Sequence, residues 1–427
     1  MIIVVPNFDR GGVSRFSFEV AAAARAAGRT AVVVGAGDPN GLWPQYDLER
    51  RAVPTWDAKA AGMIAALCSG EDVLLANSPA VACLLPALAG ARRVLLVAHG
   101  TPPDNSAWIG PARTALVGRL VTAGLARLGT PAATLRPALA DEFGIAIERI
   151  VSLTHITHPR PRGRHPGAAG VLVPVRLSSE KRYVVESGIA LAAAMGVPVT
   201  VVGEGPAAEE FALLVAEGPA DGELCRDPDV GRYIADADVV VATGITALEA
   251  CAAGRRVALA GQPHGQLVGA AGPSRIRAMI DGGFTGLTMP PLAPAAVADE
   301  LRALGSEELD AVVSYVVDEG APEHVLSLID AALEPVDPPL DPDTGVAMAA
   351  ALLSLEETVG ETYRYLGEVE VARDWWRGQY EGCEAQLHAM RDYLGELERT
   401  RDELRARVAP NEAVPAPAAP ARRWFSR

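Results

Sequence analysis

Lysine is almost missing from this 427-residue chain: of its 38 basic residues only Lys59 and Lys181 are lysine. Aromatic residues are scarce too, at 5%. Acidic residues number 53, which leaves a formal net charge of −15 at pH 7. Contact with a phosphate backbone needs a basic surface, so a chain this acidic is not a general nucleic-acid binder. The five cysteines, at 68, 83, 225, 251 and 383, are scattered and form no CxxC pair. An odd, dispersed set argues against a disulfide framework and against a zinc site, and fits reduced thiols in the cytoplasm. Long hydrophobic runs are absent as well. The uncharged stretch Ser187 to Gly203 carries Gly196 and Pro198 in its middle and reads as a helix followed by a strand, not as a membrane span. The opening MIIVVPNF has neither the basic start nor the apolar run of a signal peptide, so none is expected.

What is present is the composition of a folded protein. Hydrophobic residues make up 49% and charged residues 21%, which excludes a disordered or collagen-like chain. The length suits about two domains and an appendage. Over residues 1–334 short apolar runs alternate with helical stretches. Met1 to Val5 is fit for a buried strand, and Val13 to Ala27 carries Phe16, Val20, Ala23, Ala24 and Ala27 at helical spacing before Gly28. Strands follow at Ala31–Val34, Val73–Ala76 and Val94–Ala98. A Pro-, Gly- and Arg-rich segment over 155–170 marks a boundary. A second series then places strands at Val171–Val175, Val199–Gly203, Glu223–Arg226, Val239–Ala242 and Val257–Ala260. Such alternation predicts an α/β architecture: two Rossmann-like domains, 1–155 and 170–334, each a parallel sheet covered on both faces.

The remainder differs. Residues 335–345 form a stiff Pro-rich linker, PVDPPLDPD at its core. Over 346–408 apolar residues recur at alternating spacings of three and four from Leu352 to Val408, broken only at Thr362, Arg373 and Arg401. That is a coiled-coil pattern, although glycines at 360, 367, 378, 382 and 395 weaken the helix. A long helix packed back on its own domain is the other reading. Residues 409–427 are Pro- and Ala-rich and read as a disordered tail.

Four loops carry the residue types of a ligand site. Asn7 to Gly12 sits between the first strand and helix, and Gly11 and Gly12 let backbone approach a ligand while the helix start offers N–H groups to an anion. It is not GxGxxG, so a dinucleotide fingerprint is absent. Arg176-Leu-Ser-Ser-Glu-Lys181 follows the first strand of the second domain, where ligands bind in open α/β sheets. A guanidinium and an ammonium there can flank a diphosphate, and the survival of lysine at 181 in a chain that has nearly lost it supports a role. A solvated helix start is the plain alternative. Gly203-Glu-Gly205-Pro206 lies at the next strand end, either as a ligand turn or as a turn that simply needs glycine. Thr243-Gly244-Ile-Thr246-Ala-Leu-Glu249 opens a helix whose N–H groups suit phosphate and whose carboxylate can accept two ribose hydroxyls, or merely complement the helix dipole.

Taken together, NFDRGGVSRFSFEVAAAARAAGRTAVVV, VRLSSEK, VVGEGP and ADVVVATGITALEACAAGRRVAL resemble, in order and spacing, the motifs of GT-B glycosyltransferases of the family 4 type, across roughly residues 1–334. The resemblance implies a hexosyltransferase of bacterial surface-polysaccharide biosynthesis. It implies a nucleotide-sugar donor in an interdomain cleft, transfer with retention, and a glycan or lipid-linked acceptor. By the same resemblance Arg176 and Lys181 hold the diphosphate, Glu249 holds the ribose, and His99 stands near the reacting sugar. The sequence departs from the family at position 241, a valine where a second glutamate is usual, and at Thr154-His-Ile-Thr-His158, where an Asn-Gly turn is usual. A non-catalytic binding or scaffold module and a sugar-nucleotide epimerase of the same fold are the competing readings.

No metal cofactor is expected. Asp236-Ala-Asp238 matches a DxD metal motif but precedes a strand, where Asp commonly ends a helix. His155, His158 and His165 read as linker residues. Between 105 and 140 there is no Asp or Glu, yet Arg113, Arg119, Arg127 and Arg136 occur. That basic surface suggests peripheral contact with the inner face of a membrane, against the alternative of a soluble surface helix. The coiled coil suggests a homodimer or a pathway partner.

Overall fold

The computed structural model describes residues 1–8, 11–39, 46–53, 56, 58–76, 84–99, 118–159, 170–261, 266–335, 341, 343–352 and 354, with isolated positions beyond them. Residues 1–356 form one unit and 357–427 another. In the second unit the described positions Gly395, Arg399, Asp402 and Glu403 are helical, and the rest of the heptad stretch and the tail lie outside the described residues.

The first half of the larger unit is built on β1 (Ile2–Asn7), α1 (Gly12–Ala26), β2 (Val32–Ala36), β3 (Glu49–Val53), α2 (Ala58–Cys68), β4 (Asp72–Ala76), β5 (Arg93–Val97), β6 (Arg127–Thr130), α3 (Arg136–Phe143) and β7 (Ile150–Ser152). The strands lie in the order β3-β2-β1-β4-β5-β6-β7, each parallel to its neighbours. Alternation along β1 explains its unbroken apolar run. Ile2 and Val4 join one core, and Ile3 and Val5 join the other on the opposite face.

The second half contains β8 (Val171–Pro174), α4 (Arg182–Met195), β9 (Val199–Gly203), α5 (Ala208–Ala216), β10 (Gly222–Arg226), α6 (Val230–Asp236), β11 (Val239–Ala242), α7 (Gly244–Ala252), β12 (Arg256–Gly261) and β13 (Gln266–Ala270). Helices α8 (Ile276–Asp281), α9 (Pro294–Ala303), α10 (Ser306–Glu319) and α11 (Pro322–Ala332) follow, then the short β14 (Glu334–Pro335). The sheet order is β10-β9-β8-β11-β12-β13, parallel except for β13. Val171, Val173, Val199, Val201, Val239 and Val241 face one core, while Leu172, Val202, Val240 and Ala242 face the other. In both sheets the chain order reverses at the middle, between β1 and β4 and between β8 and β11.

The chain then returns. The second half as read from the sequence runs to 334, yet α11 packs in the core of the first. Val325, Leu326 and Ile329 share a cluster with Phe16, Val20 and Ala24. Asp330 takes two hydrogen bonds from Arg29, at 2.8 and 2.6 Å, and β14 pairs antiparallel with β5. At the crossing the Thr157 amide donates to the Gly320 carbonyl at 2.8 Å, and a side chain at Gly320 would run into Thr157.

The stretch after the Pro-rich linker also docks on the first half. Residues 343–352 are helical, with Thr344 N–H donating to the Asp341 carboxylate at 3.0 Å as a cap. Ala349 is buried in the first core, with Val346, Ala350 and Leu352 packed against it. The helical segment 343–352 is therefore fastened to the first half.

Candidate active site

In parallel open sheets the loops at the carboxyl ends of the strands splay apart where strand order reverses, leaving a crevice. β8 and β11 are the neighbours at that reversal, with Val239 beside Val171 and Val240 beside Leu172. Arg176 follows β8 and Glu249 lies on α7, which follows β11. The structure thus brings the two motifs to one crevice, although they are far apart in sequence.

Arg176 is exposed on a tight turn, closed by Ser178 N–H to the Arg176 carbonyl at 2.9 Å and Lys181 N–H to the Ser178 carbonyl at 2.8 Å. Between the cations, Glu180 accepts from the Ser178 hydroxyl at 2.6 Å. Burial would raise its carboxyl, but the Ser178 and backbone hydrogen bonds and the charges of Lys181 and Arg176 prevail and hold it below the usual range. Lys181 Nζ stands 6.0 Å from the centre of the Tyr183 ring. Two cations therefore share one turn with a single carboxylate.

The glycine turn Gly203-Glu204-Gly205 is laced against this loop. Leu177 N–H donates to the Glu204 carbonyl and Ala207 N–H to the Leu177 carbonyl, both at 2.9 Å. A side chain at Gly203 would meet the Val175 carbonyl, and one at Gly205 the Leu177 carbonyl. Packing of loop on loop accounts for glycine at both positions. Gly244 opens α7 in a left-handed conformation, φ +60°. Its N–H donates to the Phe284 carbonyl at 2.8 Å, where the Thr243 hydroxyl donates too. The amides of Ile245 and Thr246 follow in the first turn, where helix geometry supplies no acceptor.

Across from this crevice stands the start of α1. Gly11 precedes the helix and Gly12 begins it, with the Ser14 hydroxyl donating to the Asn7 carbonyl at 3.1 Å. Arg15 forms an ion pair with Glu249, so the two halves touch through opposite charges at the candidate site. Glu19, one turn on and buried, lies 3.9 Å from Arg15 and 2.8 Å from His158 Nε2, and accepts from the Tyr46 hydroxyl.

His99 follows β5 and packs edge-to-face with Phe16, ring centres 5.0 Å apart. Burial, and then the neighbouring His155, push its pKa down to about 3. His155 lies 5.6 Å from Phe16 and 6.2 Å from His99, centre to centre. Burial, followed by the charge of Arg15, lowers its pKa to about 4. Both rings are neutral at pH 7.

These contacts correct the reading of His155 and His158 as linker residues: both face the helix that borders the cleft. His165 lies outside the described residues. Sequence reading also passed over Arg15, Glu19 and Tyr46. The one local signal was the Arg15–Glu19 spacing of four directly after the glycine loop. Asp236 and Asp238 stand at the other end of β11, its amino end, and Asp238 is paired with Arg256 at 2.7 Å. Among the described residues no group of three or more His, Cys, Asp or Glu could hold a metal ion. Of the basic stretch, residues 105–117 lie outside the described residues, Arg127 is on β6, and Arg136 donates to the Ile147 carbonyl at 3.0 Å.

A scan against protein-family models finds no match, and neither does a search of the curated proteins. Solved structures do match. HepE of Anabaena in complex with UDP aligns at a TM-score of 0.58 and 12% identity, over 77% of this chain and 98% of that one. A glycosyltransferase of Rickettsia africae aligns at 0.54 and 15%, over 82% and 98%. WaaG, a glycosyltransferase involved in lipopolysaccharide biosynthesis, aligns at 0.50 and 16%, over 78% and 98%. The chain has the GT-B fold: two Rossmann-like domains facing each other across a cleft.

Proposed function

We propose that the protein is a glycosyltransferase that binds a nucleotide-sugar in this cleft and passes its hexosyl group, with retention, to a glycan or lipid-linked acceptor in cell-surface polysaccharide synthesis. The observation that carries this is the convergence at one sheet crevice of the Arg176–Lys181 turn with Glu249, itself paired across the cleft to Arg15. HepE has been solved with UDP and with UDP-glucose, which supports a nucleotide-sugar as the ligand class here.

The chemistry follows from charge. When the glycosidic bond to the diphosphate breaks, negative charge grows on the leaving phosphate oxygens. Arg176 and Lys181 are placed to stabilise it, aided by the first-turn amides of Ile245 and Thr246. Glu249 takes the ribose hydroxyls, and neutral His99 donates or accepts a hydrogen bond at the sugar. No protein nucleophile is required of the residues present, and the leaving group is neutralised without a metal. A non-catalytic binding module is the second reading, favoured by position 241, where the side chain is a valine fully buried in β11.

Peripheral membrane contact through 105–140 fits a lipid-linked acceptor. Among the described residues no helix is long and apolar enough to cross a membrane. The test is a thermal-shift screen of the full chain against UDP, GDP and their sugars, followed by turnover with the stabilising donor. A ligand at 100 times its Kd adds about 2.7 kcal/mol of stability. Stabilisation without hydrolysis or transfer would favour the binding module, and no shift with any donor would refute the nucleotide-sugar reading.

A further inference from the structure

The cleft contains a pair of imidazoles with spare hydrogen-bonding capacity. His99 Nε2 and His155 Nδ1 are both buried, and among the described residues neither has a hydrogen-bond partner. A neutral imidazole has one N–H and one lone pair, so each ring can meet a hydroxyl as donor or acceptor. Burying such an atom unpaired is unfavourable, and buried polar atoms in folded proteins are nearly always satisfied. Were the rings there only to fill space, an apolar ring would do so without that penalty.

Their positions are held. Phe16, 1% exposed, packs edge-to-face with both rings, with interplanar angles of 71° and 87°. The backbone around His155 is pinned by buried Leu153, Thr154, Ile156 and Thr157, and by the hydrogen bonds from Leu153 N–H to the Thr130 carbonyl and from Thr157 N–H to the Gly320 carbonyl. Ring centres 6.2 Å apart match the scale of a single monosaccharide with its hydroxyls. The pair also borders the donor side of the cleft. The charge of Arg15 acts on His155, and Arg15 is paired with Glu249.

We propose that His155 joins His99 as a second contact to the hydroxyls of the sugar that the donor carries, a proposal that rests on the cleft being a nucleotide-sugar site. His155 is a specificity-determining residue in this view. It distinguishes the sugar-bearing donor from the bare nucleoside diphosphate, which lacks the group it touches.

The test compares the two ligands. Wild type, His155→Ala, His155→Phe and His155→Asn are titrated calorimetrically, as full chains, with UDP and UDP-glucose and with GDP and GDP-mannose. For the pair that the wild type binds, the alanine and phenylalanine variants should bind the nucleotide-sugar about 2- to 12-fold more weakly, the range of one neutral hydrogen bond, and the bare diphosphate as the wild type does. Asparagine, which restores a donor and an acceptor close to Cβ, should recover most of the loss. The phenylalanine variant keeps the ring packing with Phe16, so it preserves the test should the alanine variant fail to fold. Equal loss for both ligands, or loss for neither, overturns the role of His155 while leaving the nucleotide-sugar reading intact. If the wild type binds neither pair, both readings fall.

Discussion

The ion pair between Arg15 and Glu249 makes a prediction with a definite sign. If a ribose takes the Glu249 carboxylate, Arg15 must release it first, and nucleotide binding carries the cost of breaking that pair. Arg15 is 22% exposed at its side chain and Glu249 9%, so the pair lies between two regimes. Exposed pairs contribute about 0.2–1 kcal/mol, and removing one partner of a fully buried pair costs about 3–5 kcal/mol. A coupling of about 1–3 kcal/mol is expected, equivalent to about 5- to 150-fold in affinity. Arg15→Gln removes the competitor and leaves a poorly solvated carboxylate that the ribose hydroxyls relieve. Nucleotide should therefore bind this variant more tightly by up to that factor, even as the unliganded protein becomes less stable. Glu249→Gln should weaken binding, and the double variant should bind no better than Glu249→Gln alone. Calorimetry with the bound nucleoside diphosphate, beside urea unfolding of the four proteins, measures both arms. Weaker nucleotide binding by Arg15→Gln would refute the competition and make Arg15 a ligand of the diphosphate instead.

Much of the architecture was legible because parallel strands buried on both faces must read as unbroken apolar runs. Ile2 to Val5 and Val239 to Ala242 do so, and both are sheet centres. The strands passed over lack that signature. β3 is an edge strand, ERRAV, with Glu49, Ala52 and Arg51 exposed, and β7 has three residues. The apolar face of α11 is legible as one that must be covered, but an amphipathic pattern does not say by which domain. The same limit governs the site. Arg176, Lys181 and Glu249 could be found because each belongs to a short motif at a strand end. Arg15 and His155 matter through partners on other elements, and no local spacing records a contact across a cleft. Asp236-Ala-Asp238 shows the converse: the local pattern suggests chemistry, and the direction of β11 places it at the edge opposite to the crevice.

Replacing Lys181 by Ala should weaken nucleoside-diphosphate binding by about 1.5–3 kcal/mol, the range for a hydrogen bond to a charged group; unchanged affinity for both Lys181 and Arg176 variants would make them plain surface charge. Turnover should survive EDTA, and loss on chelation that magnesium or manganese restores would bring Asp236 and Asp238 back as ligands. The heptad stretch from Leu352 to Val408 should associate, so the full chain should sediment as a larger species than a chain ending near Pro335; two monomers would point to a different partner. The last prediction concerns Asp72, buried at 6% exposure beneath Arg92 and Arg93. It accepts from Arg93 at 3.0 and 2.8 Å and from Arg92 at 2.8 Å. The Arg93 hydrogen bond, opposed by burial and reinforced by Arg92, lowers its pKa to about 2. The folded carboxyl thus binds its proton more weakly than the unfolded one, whose pKa is about 3.9. Its contribution is complete above that value and is lost as the pH falls through about 2. The shift alone corresponds to about 2.5 kcal/mol, but Arg92 is 63% exposed at its side chain and solvent screens the pair, so about 1–2 kcal/mol is expected. Asp72→Asn should be less stable than wild type by that amount at pH 7 in urea unfolding, and the gap should shrink by about half near pH 3. A gap of constant size across that range would mean that Asp72 acts through packing and not through its charge.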